Sequence, residues 1–177
     1  VLPPDINESF ADFTIVEPKK IRFGLGAVKN VGSNIVQQII EQRANGDKFL
    51  SMGDFAQRVA HKDFNKKSLE SLVKCGAFDA LGERSDFLGN IELILHYNRE
   101  SQRQKNAGQT SLFGDTHQSN AANLHLIPQQ PVEETEKLRW EKELLGLYIT
   151  RHPIHAYQEV FAKNNIMPIK DISRATR

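Results

Sequence analysis

The chain has 177 residues, 39% of them apolar, with 23 Lys or Arg against 22 Asp or Glu for a net charge of +1. That length carries one medium domain or a small domain with appendages, and no apolar run nears the ~20 residues of a membrane span or forms a signal segment. A single cysteine, Cys75, excludes an internal disulfide and any multi-cysteine metal site, and fits a reducing, cytoplasmic setting.

The near-neutral total hides an uneven distribution. Residues 1–18 hold four acidic groups and no basic one, residues 19–74 hold eleven basic against five acidic, and residues 75–177 hold twelve against thirteen. A local basic surplus on a neutral chain points to a face for a polyanion. The opening on Val1, with Pro3-Pro4 already inside a pattern, reads as a piece of a longer protein.

In chain order, residues 12–23 (DFTIVEPKKIRF) predict a small β-hairpin turning at Pro18-Lys19-Lys20. A short helical piece follows at Leu25–Lys29. Ser33 then reads as the N-cap of a helix that buries Ile35, Val36, Ile39 and Ile40 and ends at Asn45-Gly46. Ser51-Met52-Gly53-Asp54 has the form of a capping box ahead of Phe55 and Val59. Asn65 caps another helix, with Leu69, Leu72 and Val73 inward. From Ser85 the pattern predicts one long helix over 86–107, its polar last turns projecting outward. Residues 114–131 contain two prolines and one charged residue, Asp115, and read as a flexible tether. A final helix is expected from Val132 to the break at Pro153, burying Leu138, Trp140 or Leu144, Leu145 and Tyr148, with a short helix near 156–163 beyond it. The fold class expected is mainly α: a tandem helix-hairpin-helix domain with an N-terminal β-hairpin, a long helix, a tether and a C-terminal helical segment.

Two short stretches carry chemistry. Val28-Lys29-Asn30-Val31-Gly32-Ser33, between two helical pieces, has the h-x-G-h-G form of a helix-hairpin-helix turn, with Asn30 in place of the first glycine. Small residues there allow a sharp turn and a close approach of backbone to phosphate. The amides freed at the turn and at the following helix N-terminus attract anions without reading bases. Asparagine tolerates the left-handed region better than other non-glycine residues. Lys29, Asn30, Val31, Gly32 and Ser33 are therefore candidate DNA-binding residues. A second, weaker hairpin at Val73–Asp79 adds Gly76, with Lys66, Lys67 and Lys74 around it. Its alternative is an ordinary helix–helix corner with Phe78 and Leu81 in the core. The other stretch is Gln109-Thr110-Ser111-Leu112-Phe113, an apolar pair behind a glutamine in a segment with no core of its own. It resembles the clamp-binding peptide of bacterial replication proteins, in which the glutamine amide bonds at the pocket rim and the paired apolar side chains fill the pocket.

Hairpin, basic stretch, long helix and Gln109–Phe113 stand in an order that resembles the alpha subunits of bacterial replicative DNA polymerase III. The matching strings are VLPPDINES at 1–9, IRFGLGAVKNVG at 21–32, NKKSLESLVKCGAFDALG at 65–82, QTSLF at 109–113 and EKELLGLYITRHPI at 141–154. The resemblance implies that residues 1–24 end the fingers region and 25–107 form the tandem helix-hairpin-helix domain. It makes 108–131 the clamp peptide and its tether, and 132–177 a helical segment leading to an OB domain. It implies double-stranded DNA and the sliding clamp as partners, with further holoenzyme subunits bound outside this stretch. The enzyme it implies is a DNA-directed DNA polymerase using magnesium, whose catalytic carboxylates lie upstream, so this stretch alone is expected to be inactive and without cofactor or metal. Arg151, where the family more often has glycine, is a further departure. Two other classes remain: a helix-hairpin-helix glycosylase or nuclease, for which no convincing acid–lysine pair follows Gly32, and a protein-interaction scaffold.

Overall fold

The computed structural model describes residues 1–106 and 124–166. The pentapeptide Gln109–Phe113 lies outside the described residues. The N-terminal hairpin forms as expected: β1 (Thr14–Glu17) pairs antiparallel with β2 (Lys20–Arg22), Thr14 opposite Arg22, across a turn in which Lys19 takes φ 67°. A 3₁₀ turn at Leu25–Ala27 leads through the first hairpin into α1 (Ser33–Gly46). Then come α2 (Met52–Arg58), α3 (Lys66–Lys74), α4 (Arg84–Gly89), α5 (Ile91–Asn106) and α6 (Glu134–Leu145). A second 3₁₀ turn (Pro153–Tyr157) and α7 (Gln158–Lys163) follow.

Side-chain caps set several of these boundaries. The Ser51 hydroxyl accepts from the Asp54 amide at 3.1 Å, while Asp54 accepts from the Leu50 amide at 3.0 Å. Asn65 and Ser68 close a full capping box at the start of α3. α1 differs from expectation: Ser33 is its first helical residue, and Gly32, with no side chain to offer, is the N-cap. The helix runs through Gly46 and stops where Asp47 takes φ 61°. Arg58 closes that end, donating to the Gln42 and Asp47 carbonyls while its guanidinium lies 4.4 Å over the Phe49 ring.

The core gathers Ile6 and Phe23 from the N-terminal segment with the apolar faces of α1 to α5 and Leu144 and Leu145 of α6. Its centre is a run of edge-to-face rings, with Phe49, Phe64 and Phe78 around Phe55 at 4.7–5.6 Å and Phe87 beyond Phe78 at 6.1 Å. Each such pair adds about 0.5–1.5 kcal/mol beyond the area it buries. Residues 1–24 share this core: the Ile6 amide donates to the Ala77 carbonyl, and Asn7 exchanges two hydrogen bonds with the Phe49 backbone.

Four expectations change. The long helix over 86–107 is two, divided at Asn90, because the Asn90 side chain is used elsewhere: it donates to the Ile127 and Asp86 carbonyls and accepts from the Ile127 amide. With Gln129 N–H donating to Asp86 at 2.7 Å and Leu124 and Leu126 against the core, the later part of the expected tether lies strapped along α4 and α5. The polar turns of α5 do not simply project. Buried Asn98 donates to the Ala56 and Val59 carbonyls, and Gln102 and Lys105 donate to Gln57, so α5 caps the C-terminus of α2. Finally, α6 ends well before Pro153, at Gly146 in the left-handed region (φ 77°). Beyond it, the buried Glu141 carboxylate accepts from the Ile149 and Thr150 amides and the Thr150 hydroxyl, fixing the chain's exit.

Candidate nucleic-acid interface

The first hairpin is held from beneath. Leu25, Val28 and Val31 are buried, which turns Lys29, Asn30, Gly32 and Ser33 out to solvent. Asn30 takes φ 67°, the left-handed turn expected of it, and its side chain donates to the Ser71 hydroxyl on α3 at 3.2 Å. The Lys29 amide donates to the Leu144 carbonyl at the end of α6 (3.0 Å), so a third helix steadies the turn. Gly32 is not needed for a positive φ. It is extended (φ −74°), and a side-chain carbon placed on it would meet nothing within 4 Å. The space above it is open, and nothing among the described residues uses it.

The N-terminus of α1 is correspondingly bare. It has no side-chain cap and no acidic residue in its first turn, and no described residue accepts from the amides of Gly32, Ser33 or Asn34. Three free amides at the positive end of a 14-residue helix, under an open glycine, attract an anion. Lys29, exposed and in no ion pair with a described residue, adds a full charge beside them.

The second hairpin is built the other way. Gly76 (φ 85°) is the αL residue of a Schellman close to α3: its amide donates to Val73 and the Ala77 amide to Leu72, both at 3.0 Å. Arg84 covers it. The guanidinium bonds Asp79 through two nitrogens at 2.7 and 2.6 Å and the Lys74 carbonyl at 3.0 Å, and a carbon on Gly76 would run into it. Burial works against the Arg84 charge, but the bonds and charge of Asp79 outweigh it and hold its pKa above the ordinary value. The turn expected to offer Gly76 to a phosphate is filled by the chain's own ion pair. Lys74 lies over the Trp140 ring at 5.6 Å, Lys66 pairs with Glu92 at 3.0 Å, and Lys67 is exposed. Cys75 is buried beside this turn, and burial pushes its thiol up to about 12, leaving it inert.

Among the described residues no group of three or more His, Cys, Asp or Glu converges on a point where a metal would sit. No described helix is long and apolar enough to cross a membrane.

The helix-hairpin-helix motif family matches residues 1–87, which include both hairpins. Over 157 residues, 89% of the chain, the sequence is 41% identical to the Thermus aquaticus protein named DNA polymerase III subunit alpha. Over 173 residues, 97% of the chain, it is 37% identical to the protein of that name from Aquifex aeolicus. The chain belongs to the DNA polymerase III alpha-subunit family. It spans 12% and 13% of the length of these two relatives. Against the Deinococcus radiodurans alpha subunit it is 38% identical over 161 residues.

Within this alpha-subunit stretch, the first hairpin collects the residues expected of it on one surface: Lys29, Asn30, Gly32 and Ser33 face out and Val31 anchors them. What sequence reasoning missed are Arg84, Asn90 and Glu141, three polar residues whose burial rests on partners elsewhere in the chain. A charged residue following Gly76 in a helix start was the one local signal for Arg84.

Proposed function

We propose that this stretch is the non-catalytic duplex-DNA-binding and clamp-tethering region of a replicative DNA polymerase acting in the cytoplasm. The observation that carries the reading is the N-terminus of α1, bare among the described residues, with its open Gly32 and a Lys29 that pairs with none of them. Backbone amides and a lysine address phosphate oxygen and carry no base preference, so grip independent of sequence follows. Family membership supports a parent that polymerises DNA, its catalytic carboxylates and magnesium lying outside this chain. The duplex would be held as it leaves that site.

Gln109, Thr110, Ser111, Leu112 and Phe113 would dock the sliding clamp, two apolar side chains giving roughly 3–6 kcal/mol gross before ordering costs are subtracted. A grip on phosphate and a peptide on the clamp act together by effective concentration, so each can be weak while the enzyme stays on DNA. At the second hairpin only Lys66 and Lys67 keep access to a duplex. Lys74 and Gly76 serve the fold.

Fluorescence anisotropy with two unrelated 20-base-pair duplexes tests the reading. Equal affinity for both, falling with salt at a log–log slope of roughly −2 to −4, is expected for a few phosphate contacts. Binding that ignores salt would leave the scaffold alternative. Binding to a purified bacterial sliding clamp, abolished by Leu112→Ala with Phe113→Ala, tests the peptide.

A further inference from the structure

Beside the first hairpin lies a second basic surface that the sequence pattern did not single out. Lys62 from the α2–α3 loop, and Arg99 and Arg103 one turn apart on α5, line an open groove of about 510 Å³. Its floor is rigid and its polar atoms are already used: Asn98 and Gln102 donate to carbonyls at the end of α2. The walls are not used in the same way. Lys62 and Arg99 are exposed, and neither forms an ion pair with a described residue. The acids nearby have partners: Glu100 binds Arg103 at 2.7 Å, and Asp63 accepts from Asn34 at 3.0 Å and lies 3.4 Å from the His61 ring.

The contact between Asn34 and Asp63 ties the two surfaces together. Asn34 belongs to the first turn of α1, beside the free amides, and Asp63 is the chain neighbour of Lys62, so the loop that carries Lys62 is fastened to the hairpin's helix. A single phosphate grip lets a duplex pivot, and two separated grips fix its direction. Arg84 covers the Gly76 turn of the second hairpin, so its backbone offers no second grip, and a further basic surface can supply one.

We propose that this groove holds backbone phosphates of the same duplex that the first hairpin grips, with Lys62 and Arg99 as the cations that touch them. This rests on the DNA-binding reading above. Arg99 presents a planar fork suited to two phosphate oxygens, and Lys62 a point charge across from it. Neither reads a base, so the added contact sharpens orientation and strengthens binding without adding sequence preference.

The test compares the full chain with a Lys62→Gln, Arg99→Gln double variant and with Lys29→Gln, on a fluorescent 20-base-pair duplex across a salt series. Both groove residues are exposed, so thermal melts should match the parent. The double variant should lose about two units of salt slope, and Lys29→Gln about one. Lys62→Arg with Arg99→Lys should restore most of the loss. An unchanged slope in the double variant, while Lys29→Gln still loses its unit, overturns the groove and leaves the hairpin reading intact. No salt-dependent binding by the parent chain overturns both. Normal DNA binding by the double variant with lost binding to a purified sliding clamp also overturns the proposal, assigning the groove to a protein partner.

Discussion

The two hairpins share a local pattern, an apolar helix end, a tight turn and a new helix, yet they treat the same physical opportunity in opposite ways. Among the described residues, the first leaves its following helix without a side-chain cap, its glycine uncovered and its lysine without an ion-pair partner. The second satisfies its turn amides through a Schellman close and then lays a buried arginine over the glycine. A free helix N-terminus is a small liability in an isolated domain and an asset only when an anion is brought to it. The chain keeps one of each: a turn whose amides hold the fold and a turn whose amides no described residue uses.

The largest contrast is expected in stability. Arg84→Ala removes the cover from Gly76 and leaves the Lys74 carbonyl and Asp79 without their partner. A loss on the order of 2–3 kcal/mol is expected for such charged hydrogen bonds. Thermal denaturation measures it, and duplex affinity of the protein still folded should be unchanged. Cys75 reports the same event: its thiol should be unreactive toward a thiol reagent at neutral pH in the parent chain and react faster in Arg84→Ala. Its titration has a definite sign. The unfolded thiol ionises near 9.0 and the folded one at about 12, so the folded state binds more protons in between. Stability is therefore full below pH 9 and falls as the pH climbs toward 12.

Gly32→Val should show the reverse. A Cβ there meets nothing within 4 Å among the described residues, so stability should change by less than about 1 kcal/mol. Yet the added bulk stands where the proposed phosphate contact lies, and duplex affinity should fall about tenfold, near 1.4 kcal/mol. Wild-type affinity in Gly32→Val would falsify the assignment of the open turn. Lys29→Gln should be milder, reducing the salt slope by about one unit. The smallest effect is expected for Asn30→Gly. Relief of the left-handed strain, ~1 kcal/mol, offsets the lost bond to Ser71, and the melting temperature should barely move.

What was legible in the sequence was what neighbours decide. The β-hairpin, the apolar faces of α1, α2 and α3, the caps at Ser51 and Asn65 and the left-handed Asn30 all depend on residues within a few positions. The division of α4 from α5 was not legible. Phe87, Ile91, Ile94 and Leu95 keep helical spacing straight through Asn90, and the break depends on Ile127, far along the chain. The polar turns of α5 were read as solvated because nothing local says that Asn98 and Gln102 face the open end of another helix. Gly76 misled for a related reason. A glycine that closes a helix and a glycine that admits a phosphate look alike until the residue above each is known. Only Arg84, eight positions later, tells them apart.

The seating of the last turns of α5 sets a leash. Lys105 is fastened to the Gln57 carbonyl at 2.7 Å, and Phe113 follows Asn106 by seven residues. Even fully stretched, at ~3.6 Å for each residue, that distance is no more than about 25 Å. A partner proposed for Phe113 therefore has to reach within that radius of the α2–α5 junction.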